Sequence, residues 1–172
     1  GDMELSKRAF RKVIKEDEDE VFNDDEVTKL VKEISSNPDM LNLGIILMFC
    51  TGIRVGELVA LKWCDVVDNS IKIRRTEISY KGSDGKNMYE IREYPKTEAG
   101  IRTVYVPSEF SSILKRLKLI SRSEEYVFWL GNKNIKTLQV RKRLYVLCDR
   151  LDIKRKSPHK LRKTYVSILL DN

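Results

Sequence analysis

Thr51-Gly52-Ile53-Arg54-Val55-Gly56-Glu57-Leu58-Val59-Ala60-Leu61-Lys62-Trp63 reads as a turn leading into a helix, and the chain changes character on either side of it. The Thr-Gly pair interrupts what comes before. Leu58 and Leu61, three places apart, mark the face that turns to a core. Arg54 and Glu57 share a face at the beginning of this helix. An arginine there opposes the helix dipole, so something else must account for it. Two accounts are open: a surface salt bridge to Glu57, or a guanidinium held by its neighbour and aimed at a phosphate.

Upstream, Asn23 or Asp24 caps a helix that runs to about Ser35, with Val27, Leu30, Val31 and Ile34 as its apolar stripe. Ser36-Asn37-Pro38-Asp39 turns the chain. Leu41 to Cys50 is apolar nearly all round, which fits a centrally buried helix. Downstream, the period changes to two. Residues 71–78 predict a strand, residues 88–94 a second and residues 102–106 a third, which together make a small antiparallel meander. Lys96 falls where the last two strands join, on a tip that could reach over a ligand. Helices resume over 108–119 and 138–151, separated by the short apolar segment 126–130. The last helix starts at Ser157-Pro158, a good cap followed by a residue suited to the first helical position. It carries His159, the single histidine of the chain, and Arg162 one turn later. Two accounts are open here as well: a basic helix end with an ordinary structural histidine, or a first turn suited to a bound phosphate or other anion.

The 172 residues are 41% hydrophobic and 34% charged, enough apolar material for one domain with a proper core. The formal charge is +7 and is unevenly spread. Residues 133–163 hold twelve Lys or Arg against two Asp, whereas residues 15–26 are strongly acidic. A block that basic favours a nucleic-acid partner over a merely solvated face. Cys50, Cys64 and Cys148 are widely spaced and odd in number, as for free thiols in a reducing compartment. One histidine and no Cys-x-x-Cys argue against zinc. No apolar run is long enough for a membrane span, and the start has no export signal.

Taken in order, these segments resemble the catalytic domain of the tyrosine recombinases, the phage and transposon integrase family. The family's Thr-Gly-x-Arg-x-x-Glu-Leu segment and Leu-x-Trp-x-Asp tail are matched by Thr51 to Leu58 and by Leu61-Lys62-Trp63-Cys64-Asp65. Its hairpin Lys-Thr before a strand ending in Val-Pro is matched by Lys96-Thr97 before Val106-Pro107. Its His-x-Leu-Arg-His-Thr cluster is matched by His159-Lys160-Leu161-Arg162-Lys163-Thr164, with a lysine in place of the second histidine.

The resemblance implies a mainly α fold with a small antiparallel β-sheet, an α+β arrangement. It assigns Arg54, Lys96, His159 and Arg162 to catalysis and expects them around one phosphate-sized space. Glu57 is expected to orient Arg54 without touching DNA. Arg141, Lys142, Arg143 and Lys160 are candidate DNA contacts. The implied reaction is site-specific recombination through a 3′-phosphotyrosyl intermediate, with no cofactor and no metal. Double-stranded DNA is the implied partner. The full-length protein is expected to act as a homo-tetramer, this piece alone to be monomeric, and the setting to be bacterial or phage-encoded cytoplasm.

In the family a further His or Trp and the nucleophilic tyrosine follow the last helix. Residues 21–172 are therefore expected to be a catalytic domain truncated before its nucleophile, while residues 1–20, mostly polar and ending in an acidic run, are expected to be a linker or leader. Tyr165 is expected to be a core aromatic, and the other tyrosines match no nucleophile segment. A non-cleaving DNA-binding module of degenerate recombinase type is the alternative.

Overall fold

The structure is a computed structural model that describes residues 21–97 and 100–161. Helix α1 (Asp24–Ser36) starts on a reciprocal cap. The Asn23 side chain accepts from the Glu26 N–H at 2.8 Å, and the Glu26 carboxylate accepts from the Asn23 N–H at 2.9 Å. Leu30 and Ile34 are its buried residues. Helix α2 (Met40–Thr51), capped by Asp39, is buried on nearly every side, as its uniform apolarity requires. It stops at Gly52, whose φ of 74° is a left-handed conformation that glycine enters without a Cβ penalty.

The next helix is shorter than the sequence suggests. Helix α3 (Val55–Val59) has five residues. Chain beyond it is claimed by a distant segment: the Leu61 carbonyl accepts from Val127 N–H at 3.1 Å, and Trp63 N–H donates to the Glu125 carbonyl at 2.8 Å. The Trp63 indole N–H donates to the Ser123 carbonyl at 3.1 Å. A 3-10 turn, Trp63–Asp65, follows. Leu58 and Leu61 are buried as expected.

The expected meander is also corrected. Strands β1 (Val66–Val67), β2 (Ser70–Ile73) and β5 (Arg102–Tyr105) form one antiparallel sheet in the order β1-β2-β5, with Ile71 opposite Val104 and Ile73 opposite Arg102. Strands β3 (Arg75–Lys81) and β4 (Asn87–Glu93) form a separate hairpin. The predicted single strand over 71–78 is therefore broken at Arg74, and the third strand returns to the first, not to the second. The break has an electrostatic cause. Asp65, almost fully buried, pairs with the buried Arg75 and lies 3.5 Å from Arg74 Nε, so both side chains are drawn to one carboxylate at the corner.

A 3-10 turn (Ser108–Phe110) precedes helix α4 (Ser112–Ile120). The apolar segment 126–130 runs into a two-residue hairpin, β6 (Trp129–Leu130) with β7 (Lys133–Asn134). Helix α5 (Thr137–Arg150) buries Val140, Leu144 and Leu147. Helical structure begins again over 158–161, where the Ser157 carbonyl accepts from Lys160 N–H at 2.9 Å and Leu161 is buried. One core gathers α1 to α5 with Ile71, Ile73 and Phe128, and α2 packs against each of α1, α3, α4 and α5. The architecture is mainly helical with small antiparallel sheets. Cys50 and Cys148 are buried free thiols, Cys64 an exposed one.

Candidate active site

Arg54 is the N-cap residue of α3, with extended backbone (φ −77°, ψ 152°) and an exposed side chain. Its backbone is fixed from beneath. The Glu57 carboxylate, 1% exposed, accepts from the Arg54 N–H at 2.9 Å. This is the second half of a capping box, an acid at the third helical position reaching back to the cap. Glu57 thus holds Arg54 by the main chain, not by a salt bridge to its guanidinium. Among the described residues no carboxylate pairs with that guanidinium.

The charge on Glu57 is met by residues that the sequence reading did not single out. Arg102 grips it with two nitrogens, Nη1 to Oε2 at 2.9 Å and Nη2 to Oε1 at 2.8 Å. The Tyr94 hydroxyl donates to Oε2 at 2.7 Å. Burial alone would raise the Glu57 pKa; the Arg102 hydrogen bonds, the Arg54 N–H and the Tyr94 hydroxyl outweigh it and hold the carboxyl below its ordinary value. Burial, then the neighbouring carboxylate, pushes the Tyr94 phenol up. The Glu57 hydrogen bonds stabilise the Arg102 cation further.

Arg54 opens onto a cleft of about 480 Å³ between α3, the hairpin and α5. Gly56, Thr76, Glu77, Tyr89 and Arg141 are on its walls. The hairpin can approach α3 this closely because residue 56 has no side chain: a Cβ there would be 2.5 Å from Thr76 Oγ1. On the other side, the Glu77 carboxylate accepts from the Thr137 N–H at 3.2 Å and so caps the first turn of α5. Among the described residues its second oxygen has no hydrogen-bond donor, and Lys136 Nζ is 4.0 Å from it.

Of the residues expected at the site, the cleft brings Arg54 and Arg141 together. Lys96 is exposed in the turn between β4 and β5, and His159 is exposed in the first turn of the helix that begins at 158; neither is among the cleft's lining residues. Arg162 lies outside the described residues, as does Tyr165. Lys142 is exposed on α5 and Lys160 half-buried. Arg143 is engaged elsewhere: its guanidinium binds the Asp39 carboxylate and the Asn42 side chain, which fastens α5 to the start of α2. Among the described residues no group of His, Cys, Asp and Glu could hold a metal ion, and no helix is long and apolar enough to cross a membrane.

The same arrangement of elements recurs in solved structures. The Tn1549 transposon integrase in complex with a circular intermediate DNA superimposes with a TM-score of 0.73 at 17% identity, over 88% of this chain and 53% of that one. In sequence, a XerC-like tyrosine recombinase of Caldanaerobacter subterraneus subsp. tengcongensis is 29% identical over 91% of this chain and 44% of its own length. Tyrosine recombinase XerD of Rickettsia bellii is 27% identical over 88% of this chain and 51% of its own. The chain thus spans about half the length of the curated relatives it matches. With the phage integrase family model matching residues 20–172, which include both the Arg54 and the His159 segments, the chain belongs to the phage integrase family.

Proposed function

We propose that this chain forms the catalytic domain, residues 21–172, of a site-specific DNA recombinase that cuts and rejoins duplex DNA through a 3′-phosphotyrosyl intermediate. The observation that carries the reading is Arg54: an exposed arginine with no carboxylate partner among the described residues, its backbone clamped by a buried acid, at the mouth of a cleft shared with Arg141. A guanidinium so placed is free to fork onto the non-bridging oxygens of a phosphodiester, where charge grows in the transition state. Arg162 supplies the second fork. A tyrosine oxygen attacks phosphorus and the P–O5′ bond breaks, with the electron pair leaving on O5′. His159 takes the proton of the attacking hydroxyl, and Lys96 gives one to the departing O5′. The phosphoryl bond energy is kept in the phosphotyrosyl link, so no nucleotide is consumed. Tyr94 is unsuited to be the nucleophile, because its hydroxyl is bound to Glu57 and its pKa is pushed up. Arg141, Lys142 and Lys160 contact DNA, and the full-length protein assembles as a tetramer on two duplexes. The enzyme reading gains over a non-cleaving module because a pure binder has no use for an exposed arginine whose backbone is clamped by a buried acid.

Single-turnover cleavage of a labelled duplex by the full-length protein tests this. Arg54→Ala is expected to lower the rate by about 10²-fold or more with DNA affinity nearly kept. Arg54→Lys is expected to recover only part, since one ammonium does not reproduce the fork. Normal cutting by Arg54→Ala, or no covalent adduct from the wild-type protein, would sink the catalytic reading and leave the binding module.

A further inference from the structure

Lys96 is an exposed side chain in a connecting turn, a poor foundation for a group that must deliver a proton to one atom. What flanks it is anything but loose. Two residues before it, the Tyr94 hydroxyl donates to Glu57 Oε2 at 2.7 Å, and the Tyr94 N–H donates to the Arg74 carbonyl at 2.8 Å. Six residues after it, Arg102 holds both oxygens of the same carboxylate and donates from Nη1 to the Gly100 carbonyl at 2.9 Å. Gly100 in turn packs against the Tyr94 ring, where a Cβ would come within 3.0 Å of two ring carbons. The two limbs of the turn are therefore closed on each other. Both end on a carboxylate that also accepts from the Arg54 N–H.

We infer that Tyr94 and Arg102 are positioning residues that set Lys96 relative to Arg54, acting through the buried Glu57 carboxylate that all three segments share. The inference rests on the reading of Lys96 as the proton donor proposed above. Its physical content is that one acceptor fixes the phosphate-clamping arginine and both limbs of the lysine turn at once. Loss of either donor lets the turn shift against Arg54, and a donor displaced by about 1 Å loses a large part of its rate advantage. The step affected is proton transfer alone: the P–O5′ bond breaks, the Lys96 ammonium gives its proton to O5′ and is left as the neutral amine.

The test compares two duplexes in single-turnover cleavage by the full-length protein, one with the ordinary 5′-oxygen at the scissile position and one with a 5′-bridging sulfur. A thiolate leaves without needing a proton, so defects in proton delivery disappear on sulfur. Tyr94→Phe and Arg102→Lys are expected to slow the oxygen substrate by roughly 10-fold to 100-fold and to approach wild-type rates on sulfur, in parallel with Lys96→Ala. Arg54→Ala provides the contrast, as it weakens the phosphate clamp itself. Tyr94→Phe removes only a hydroxyl, so it decides the matter should Arg102→Lys fail to fold. If Lys96→Ala is rescued by sulfur while Tyr94→Phe is slowed equally on both substrates, or on neither, the positioning role is wrong and the catalytic reading survives. If Lys96→Ala cuts the oxygen substrate normally, the catalytic reading of Lys96 falls and takes the inference with it.

Discussion

Replacing Glu57 with glutamine keeps the shape of the side chain but leaves Arg102 facing a neutral amide in a nearly closed site. Removing one partner of a buried pair costs about 3 kcal/mol, towards the low end because Arg102 keeps some contact with water. The cost should depend on pH in a fixed direction. The folded Glu57 carboxyl lies below its ordinary value of 4.5, so its stabilising contribution is fully present above that value and is lost as pH falls through the lower folded one. Thermal melts of wild type and Glu57→Gln should accordingly differ most near neutrality and converge in acid; a constant gap would show that the charge is not what stabilises the fold. The sequence pointed to Glu57 as a support for Arg54, but not to the form the support takes. An acid three residues after a helix cap is a local signal, whereas Arg102 is 45 residues away and is brought to it only by pairing of β5 with β2. In a strand with alternating polar residues, nothing distinguishes an arginine that grips a buried acid from one that faces water.

The helices with a full amphipathic period, α1, α4 and α5, and the uniformly apolar α2 lie close to where the sequence put them. Periodicity failed where a competing partner cut it short, as in α3, whose continuation is claimed by the 123–127 segment, and at Arg74, where Asp65 bends the strand. Gly56 belongs to this scale because it sets how near β3 comes to α3. Gly56→Ala would gain about 1 kcal/mol of helix propensity. The new methyl would meet Thr76 Oγ1 at 2.5 Å and the Glu77 carbonyl oxygen at 3.0 Å, and such overpacking costs about 1–3 kcal/mol. A net loss of stability is therefore expected in denaturant unfolding, with Thr76→Ala restoring part of it. Stabilisation by Gly56→Ala alone would mean that the hairpin yields freely.

Across the whole molecule, the basic block over 133–163 divides into two populations. Lys136, Arg143, Arg150, Arg155 and Lys156 are in ion pairs, and Arg143, Arg150 and Lys156 fasten the C-terminal part of the fold to Asp39, Glu33 and Glu26. Arg141 and Lys142 have no such commitment among the described residues and face outward from α5. Net charge in the sequence could not separate these groups, since pairing is a property of the folded chain. Fluorescence anisotropy at increasing salt should do so. Each of Arg141→Gln and Lys142→Gln is expected to lower the slope of log affinity against log salt by about 1. Arg143→Gln should leave that slope nearly unchanged and instead cost about 1 kcal/mol of stability, as for a partly exposed pair. Equal slopes for all three would contradict the division. The hairpin β3–β4 is set apart in another way. Among the described residues its strands pair only with each other, and the β2–β5 register closes without them. Its base is fastened through Thr76 and Glu77, while its far end at 82–86 is mostly exposed. The far end is thus an engineering port: a grafted peptide or a fluorophore there would ride beside the cleft without asking the rest of the scaffold to refold.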